Sequence, residues 1–171
     1  MKIYALAFIA SASLPALAAA QTQTATINVT AKVQSTVSFS NAANLDFGAA
    51  ITPGTAASVA PGTASGKVMI SYNTPATVTV AGTDLTETAG GGSPATIPVT
   101  YSCAQANSGT AAAPTAFAGT CAAGFTTALN GRARTDHWVY LGGSIAAGAT
   151  STVPAGNYAG TATFTATYTT Y

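Results

Sequence analysis

Apolar residues recur at every second position over much of this chain, the period of a strand with one face buried. Ala25, Ile27, Val29, Ala31 and Val33 fall on one face, and Thr24, Thr26, Asn28, Thr30 and Lys32 on the other. Val37 and Phe39 continue the odd-numbered face, and Leu45 and Phe47 form a short apolar piece within 44–48. Residues 67–72 and 76–81, joined by Asn73-Thr74-Pro75, predict a hairpin in which Val68, Ile70 and Tyr72 face Val78 and Val80 across one sheet. Ile97, Val99 and Tyr101 alternate again, with Pro98 marking an edge or a strand start because it cannot donate to a ladder. Short strands are expected at 125–129 and 137–141. The last strand is entered through the tight turn Pro154-Ala155-Gly156, and in it Ala162, Phe164, Ala166 and Tyr168 alternate with threonines.

Between these pieces lie segments without periodicity. Residues 51–65 and 142–152 are rich in turn formers, Gly90-Gly91-Gly92 breaks the chain, and 104–123 reads as an excursion of small residues. About eight short strands separated by turn signals predict an all-β sandwich or barrel.

The first residues follow a different pattern. Lys2 precedes the apolar residues 3–10, and Ala18-Ala19-Ala20 stand before Gln21. That order is a secretory signal peptide, residues 1–20, cleaved after Ala20 or alternatively after Ala18. The apolar stretch is too short to cross a bilayer, which takes about 20 residues, and no span is expected in the mature chain. Export places the protein in the periplasm in transit, and then at the cell surface or outside the cell.

Charge narrows the function classes. Only 5% of residues are charged, and after the leader Lys32, Lys67, Arg132 and Arg134 balance Asp46, Asp84, Glu87 and Asp136. No basic stripe exists to neutralise a run of phosphates, so no nucleic-acid partner is expected. The surface is left to Thr, Ser, Asn, Gly and Ala, and threonine suits pleated sheet better than helix.

Cys103 and Cys121 are the two cysteines. In an oxidising compartment an even pair reads as a disulfide, here closing off the excursion between them. Two thiolates alone do not make a structural zinc site, and no cofactor is expected.

A catalytic constellation does not assemble. His137 is the single histidine, and its neighbour Asp136 points to the opposite face of a strand, where it cannot orient the imidazole. There is no Gly-x-Ser-x-Gly elbow. The four acids are scattered, and Gly90–92 lacks the lysine of a phosphate loop. The chain is therefore read as a non-enzyme. The cluster Arg132, Arg134 and Asp136 reads as a solvated turn or a contact surface. Trp138 and Tyr140 share a face and read as core aromatics, or in a binding module as a carbohydrate platform. Tyr158, after the Pro-Ala-Gly turn, suits a corner tyrosine whose hydroxyl bonds back to the chain.

Three pieces occur in order: the alternating Ala25-Thr26-Ile27-Asn28-Val29-Thr30-Ala31-Lys32-Val33, then Asn44-Leu45-Asp46-Phe47-Gly48, then Pro154-Ala155-Gly156-Asn157-Tyr158 running to Tyr168. Together they resemble the spore coat protein U-like domains, which include archaic chaperone–usher pilins. The resemblance covers both ends of the mature chain and not residues 83–131. It also departs at Ser35-Thr36, where the family usually has a cysteine, and in the three residues that follow Tyr168.

The resemblance implies a pilin-like, immunoglobulin-like β-sandwich over 35–171 that lacks its last strand. Residues 21–34 of a neighbouring copy would fill the gap by β-augmentation, after a periplasmic chaperone had held it open for delivery to an outer-membrane usher. By position, Ile27, Val29, Ala31 and Val33 are the donor residues. Tyr158, Ala162, Phe164, Ala166 and Tyr168 line the acceptor groove. The function expected is a structural subunit of a pilus-like surface fibre, a homopolymer held by strand exchange. A self-contained secreted or envelope module, surface- or carbohydrate-binding, is the alternative.

Overall fold

The computed structural model describes residues 27–48, 50–89, 93–107, 114–117, 119–127 and 135–168. The expected leader, residues 21–26, the Gly90–92 break, the Arg132/Arg134 turn and the three C-terminal residues lie outside them. The chain divides into Met1–Val33 and Gln34–Tyr171. In the first unit, residues 27–33 belong to no strand, and Ile27, Val29 and Val33 are 81, 85 and 82% exposed.

The second unit is nearly all β; among its described residues the one helical turn is the 3-10 turn Ala147–Thr150. Its strands are β1 (Val37–Ala43), β2 (Ala57–Val59), β3 (Gly66–Tyr72), β4 (Ala76–Gly82), β5 (Leu85–Glu87), β6 (Thr96–Ile97), β7 (Thr100–Asn107), β8 (Thr115–Ala116), β9 (Phe125–Thr126), β10 (Thr135–Ile145), β11 (Tyr158–Ala159) and β12 (Ala162–Tyr168). They form three antiparallel sheets. The largest runs β1-β3-β10-β7-β8, with β2 also on β10; the others are β12-β4-β9 and β11-β5-β6.

The core lies where the largest sheet faces β12-β4-β9. Val68, Ile70 and Tyr72 from β3 and Val139 and Leu141 from β10 meet Val78 and Val80 from β4, with Ala162, Phe164 and Ala166 of β12 packed at the side. Every one of these positions is set by strand alternation, which aims i, i+2 and i+4 at one face.

The expected hairpin between 67–72 and 76–81 is not formed. β3 and β4 belong to different sheets, so their apolar faces meet across the core rather than within one ladder. A tight hairpin turn needs positive φ at its centre, and none of Asn73, Thr74 or Pro75 has it. Thr127 takes the place of a ladder partner: its hydroxyl accepts from the Ala76 N–H at 2.8 Å, and its own N–H donates to the Ala76 carbonyl at 2.8 Å.

Two further boundaries differ from the sequence reading. The excursion expected from Ala104 starts only after Asn107, because β7 stays paired with β10 from Thr100 to Asn107. Ala104 and Ala106 lie opposite Tyr140 and Trp138, and these four form a small second cluster on the face away from the main core. Small residues there make room for large ones. β10, expected to stop at Leu141, continues through Gly142 and Gly143 to Ile145. A Cβ at Gly142 would run into the Val59 carbonyl, so the glycine is what lets β2 lie against β10.

Cys103 and Cys121 are bonded, with Cα atoms 5.3 Å apart, inside the range a disulfide spans. The bridge closes the excursion from inside: both residues are buried in the core. Phe117, from within the loop, is buried too, with its ring 4.8 Å from that of Phe125. The loop therefore contributes to the core it closes over.

Candidate functional site: the seam between β1 and β12

Among the described residues β1 pairs only with β3, and β12 pairs on its ladder only with β4. Each is the edge of its sheet, and the two edges border one seam. Exposed edges of this kind are templates for an added strand.

One end of the seam is closed. Asn73 clamps the chain where the N-terminal segment joins the domain: its Nδ2 donates to the Gln34 carbonyl at 2.9 Å, and its Oδ1 accepts from the Thr36 N–H at 2.7 Å. The Asn73 N–H also donates to the Thr36 carbonyl at 3.3 Å, and the Tyr168 hydroxyl to the Ser35 carbonyl at 3.4 Å. A little further along, the rings of Phe39 and Phe164 lie 6.4 Å apart and tilted, an arrangement favourable for aromatic pairs.

β1 then changes course. Ser40 lies opposite Met69, yet Ala43 lies opposite Lys67, so β1 carries one residue more than β3 between these pairs. Asn41 within that bulge has φ +52°, a left-handed conformation that asparagine tolerates better than most residues. Beyond the bulge a cavity of about 820 Å³ opens, lined among others by Leu45, Phe47, Val68, Leu141, Ala162 and Phe164.

The acceptor residues named from the sequence are thus brought together only in part. Ala162, Phe164 and Ala166 are half-buried on the core side of β12, whereas Tyr168 is 40% exposed at its far end. Tyr158 also lines the cavity but belongs to β11, paired with β5, and its hydroxyl donates to the Pro154 carbonyl at 2.8 Å. Of the donor residues, Ile27, Val29, Ala31 and Val33 are all exposed. The sequence reading missed Phe39 and Asn73, as well as the cavity floor of Val68 and Leu141. Phe39 had the signal of alternation but no hint of its partner.

Asp136 and His137 point to opposite faces, as strand geometry requires. His137 is buried, its Nδ1 lies 2.6 Å from the Tyr72 hydroxyl, and the two rings stack at 5.5 Å. Thr127 also bonds Tyr72, and Phe125 completes the surroundings. Burial pushes the imidazole below its ordinary value, partly offset by the Asp136 carboxylate; Asp136 Oδ1 itself is buried with no hydrogen-bond partner among the described residues. A histidine held neutral in the fold contributes stability that is complete above about pH 6.5, its unfolded value, and is lost as pH falls through the lowered folded value. His137→Phe keeps the ring and removes the proton site. Melting curves from pH 4 to 8 are therefore expected to show a smaller loss of stability on acidification in this variant than in the native chain.

Trp138 is half-buried beneath Lys67, whose ammonium lies 5.5 Å from the ring centre, and Tyr140 is 1% exposed. Tyr140 thus presents no face to a sugar. Among the described residues no three His, Cys, Asp or Glu side chains are grouped to hold a metal, and no helix is long and apolar enough to cross a membrane. Comparison with protein-family models, with curated proteins and with solved structures found no match for the chain.

Proposed function

We propose that the protein is a structural subunit of an extracellular fibre: an immunoglobulin-like sandwich, open along the β1–β12 seam, that is completed by the N-terminal strand of a second copy. One observation carries this reading. Among the described residues, an alternating apolar segment with Ile27, Val29 and Val33 each more than 80% exposed belongs to no strand, and the domain after it has two sheet edges, β1 and β12, without a further partner beside a cavity.

Magnitudes favour an occupant over an empty seam. Burying three side chains of Val or Ile size is worth roughly 5–9 kcal/mol. Fixing the backbone of residues 27–33 costs roughly 1–2 kcal/mol per residue, a sum of the same order. Side chains alone therefore fall short of the cost. The main-chain ladder to an edge strand, about 0.5–1.5 kcal/mol per bond, supplies the difference, and the edge of β12 away from β4, without a partner among the described residues, is where such a ladder can form.

Because donor and acceptor surfaces differ, donation to a second copy is a heterologous contact and can propagate. A self-contained module whose N-terminal strand completes its own sheet is the competing reading, and the two differ in whether a free peptide of residues 21–34 stabilises the domain.

The test is thermal. A synthetic peptide of residues 21–34 is added to protein beginning at Ser35. A donor-strand acceptor gains several degrees in Tm, and the gain disappears when the peptide carries Ile27→Asp with Val29→Asp. Protein that melts at the same temperature with and without the native peptide would refute the proposal.

A further inference from the structure

We infer that the seam accepts a strand over only half its length, and that Phe39, set by the bulge at Asn41, is the stop that fixes the register. The inference rests on the strand-donation reading and specifies the binding site within it.

The two halves of the seam differ in kind. From Ser35 to Phe39 the chain is already engaged with β12, through the Tyr168 hydroxyl and through the Phe39 ring on Phe164. From Ala42 onward it is not, and the cavity occupies the space: its lining takes in Ala42 to Phe47 on one side and Ala159 to Phe164 on the other, and includes neither Phe39 nor Ala166. The change falls at the bulge, where Asn41 takes up positive φ and the register with β3 slips by one residue. Bulges bend the strand that carries them and raise its local twist, so β1 follows one course as far as Phe39 and another beyond Ala43.

A strand entering between β1 and β12 must point every second side chain at the core. Beside Ala162 those side chains meet the cavity. Beside Ala166 and Tyr168 they meet the chain from Ser35 to Phe39, which already touches Tyr168 at one end and Phe164 at the other. The donor from a second copy therefore lies beside the cavity end of β12, from Ala162, and Phe39 remains in place.

Amide hydrogen exchange resolved along β12 tests this on the chain from Gln21. Assembled native chain is compared with the same chain carrying Ile27→Asp and Val29→Asp, kept as the unassembled reference. Amides between Ala162 and Phe164 that face away from β4 are expected to slow at least tenfold on assembly, while those of Ala166 to Tyr168 keep the reference rate. In Phe39→Ala the slowed stretch should extend toward Tyr168. If that variant does not fold, the native profile alone decides. Slowing over the whole of β12 with Phe39 present would overturn the register stop and leave strand donation standing. No slowing anywhere along β12, or no assembly, would overturn strand donation and the register stop with it.

Discussion

The chain from Gln21 carrying aspartate at both Ile27 and Val29 is expected to remain monomeric at concentrations where the native chain forms ladders of multimers. Both side chains are exposed in the chain itself, so the charges meet water in the monomer and its melting temperature should stay within about one degree of native. In an occupied seam the same charges would face Leu45, Phe47, Val68 and Leu141; Lys67, the cation in the described lining, has its ammonium on the Thr63 carbonyl and over the Trp138 ring. Removing an unpaired carboxylate from water costs several kcal/mol in real proteins, and each 1.4 kcal/mol is a tenfold change in affinity. Two such charges should weaken association at least about a thousandfold. Light scattering after size exclusion reads the result. Unchanged multimers would mean that contacts elsewhere hold the copies together.

Replacing Cys103 and Cys121 together by alanine is expected to cost about 3 kcal/mol. The cysteines are 18 residues apart, and the chain-entropy model gives roughly that figure for a loop of this size. For a domain of this length that is a fall in Tm of roughly 6–12 °C. The loss should include packing as well as loop closure, because the bridge is buried and the loop places Phe117 against Phe125. A thermal melt of the variant under non-reducing conditions checks it. A fall of less than 2 °C would show that loop and core hold together without the bridge.

Alternation made the edge strand legible. Ala162, Phe164 and Ala166 were aimed at the core by their spacing alone, and β12 runs where the threonine pattern put it. Alternation could not say which strands pair. The same faces of β3 and β4 would suit one sheet or two, and the turn Asn73-Thr74-Pro75, with Thr127 arriving from far along the chain, decides for two. Composition misled in two places, since Ala104 and Ala106 looked like loop and Gly142-Gly143 like a turn. Both are in strands, because a neighbouring aromatic or a neighbouring backbone needs the space. The cavity was the least legible feature, because its walls come from widely separated segments, and whether they meet depends on a one-residue bulge that leaves no periodic trace. The residues that would fill it were the most legible, for they alternate without charge on their apolar face.

Negative-stain electron microscopy of two chains, one beginning at Gln21 and one at Ser35, tests the central claim most directly. Strand donation predicts linear filaments or end-to-end multimers from the longer chain and single particles from the shorter at equal concentration. Single particles from both chains, with equal melting temperatures, would contradict it.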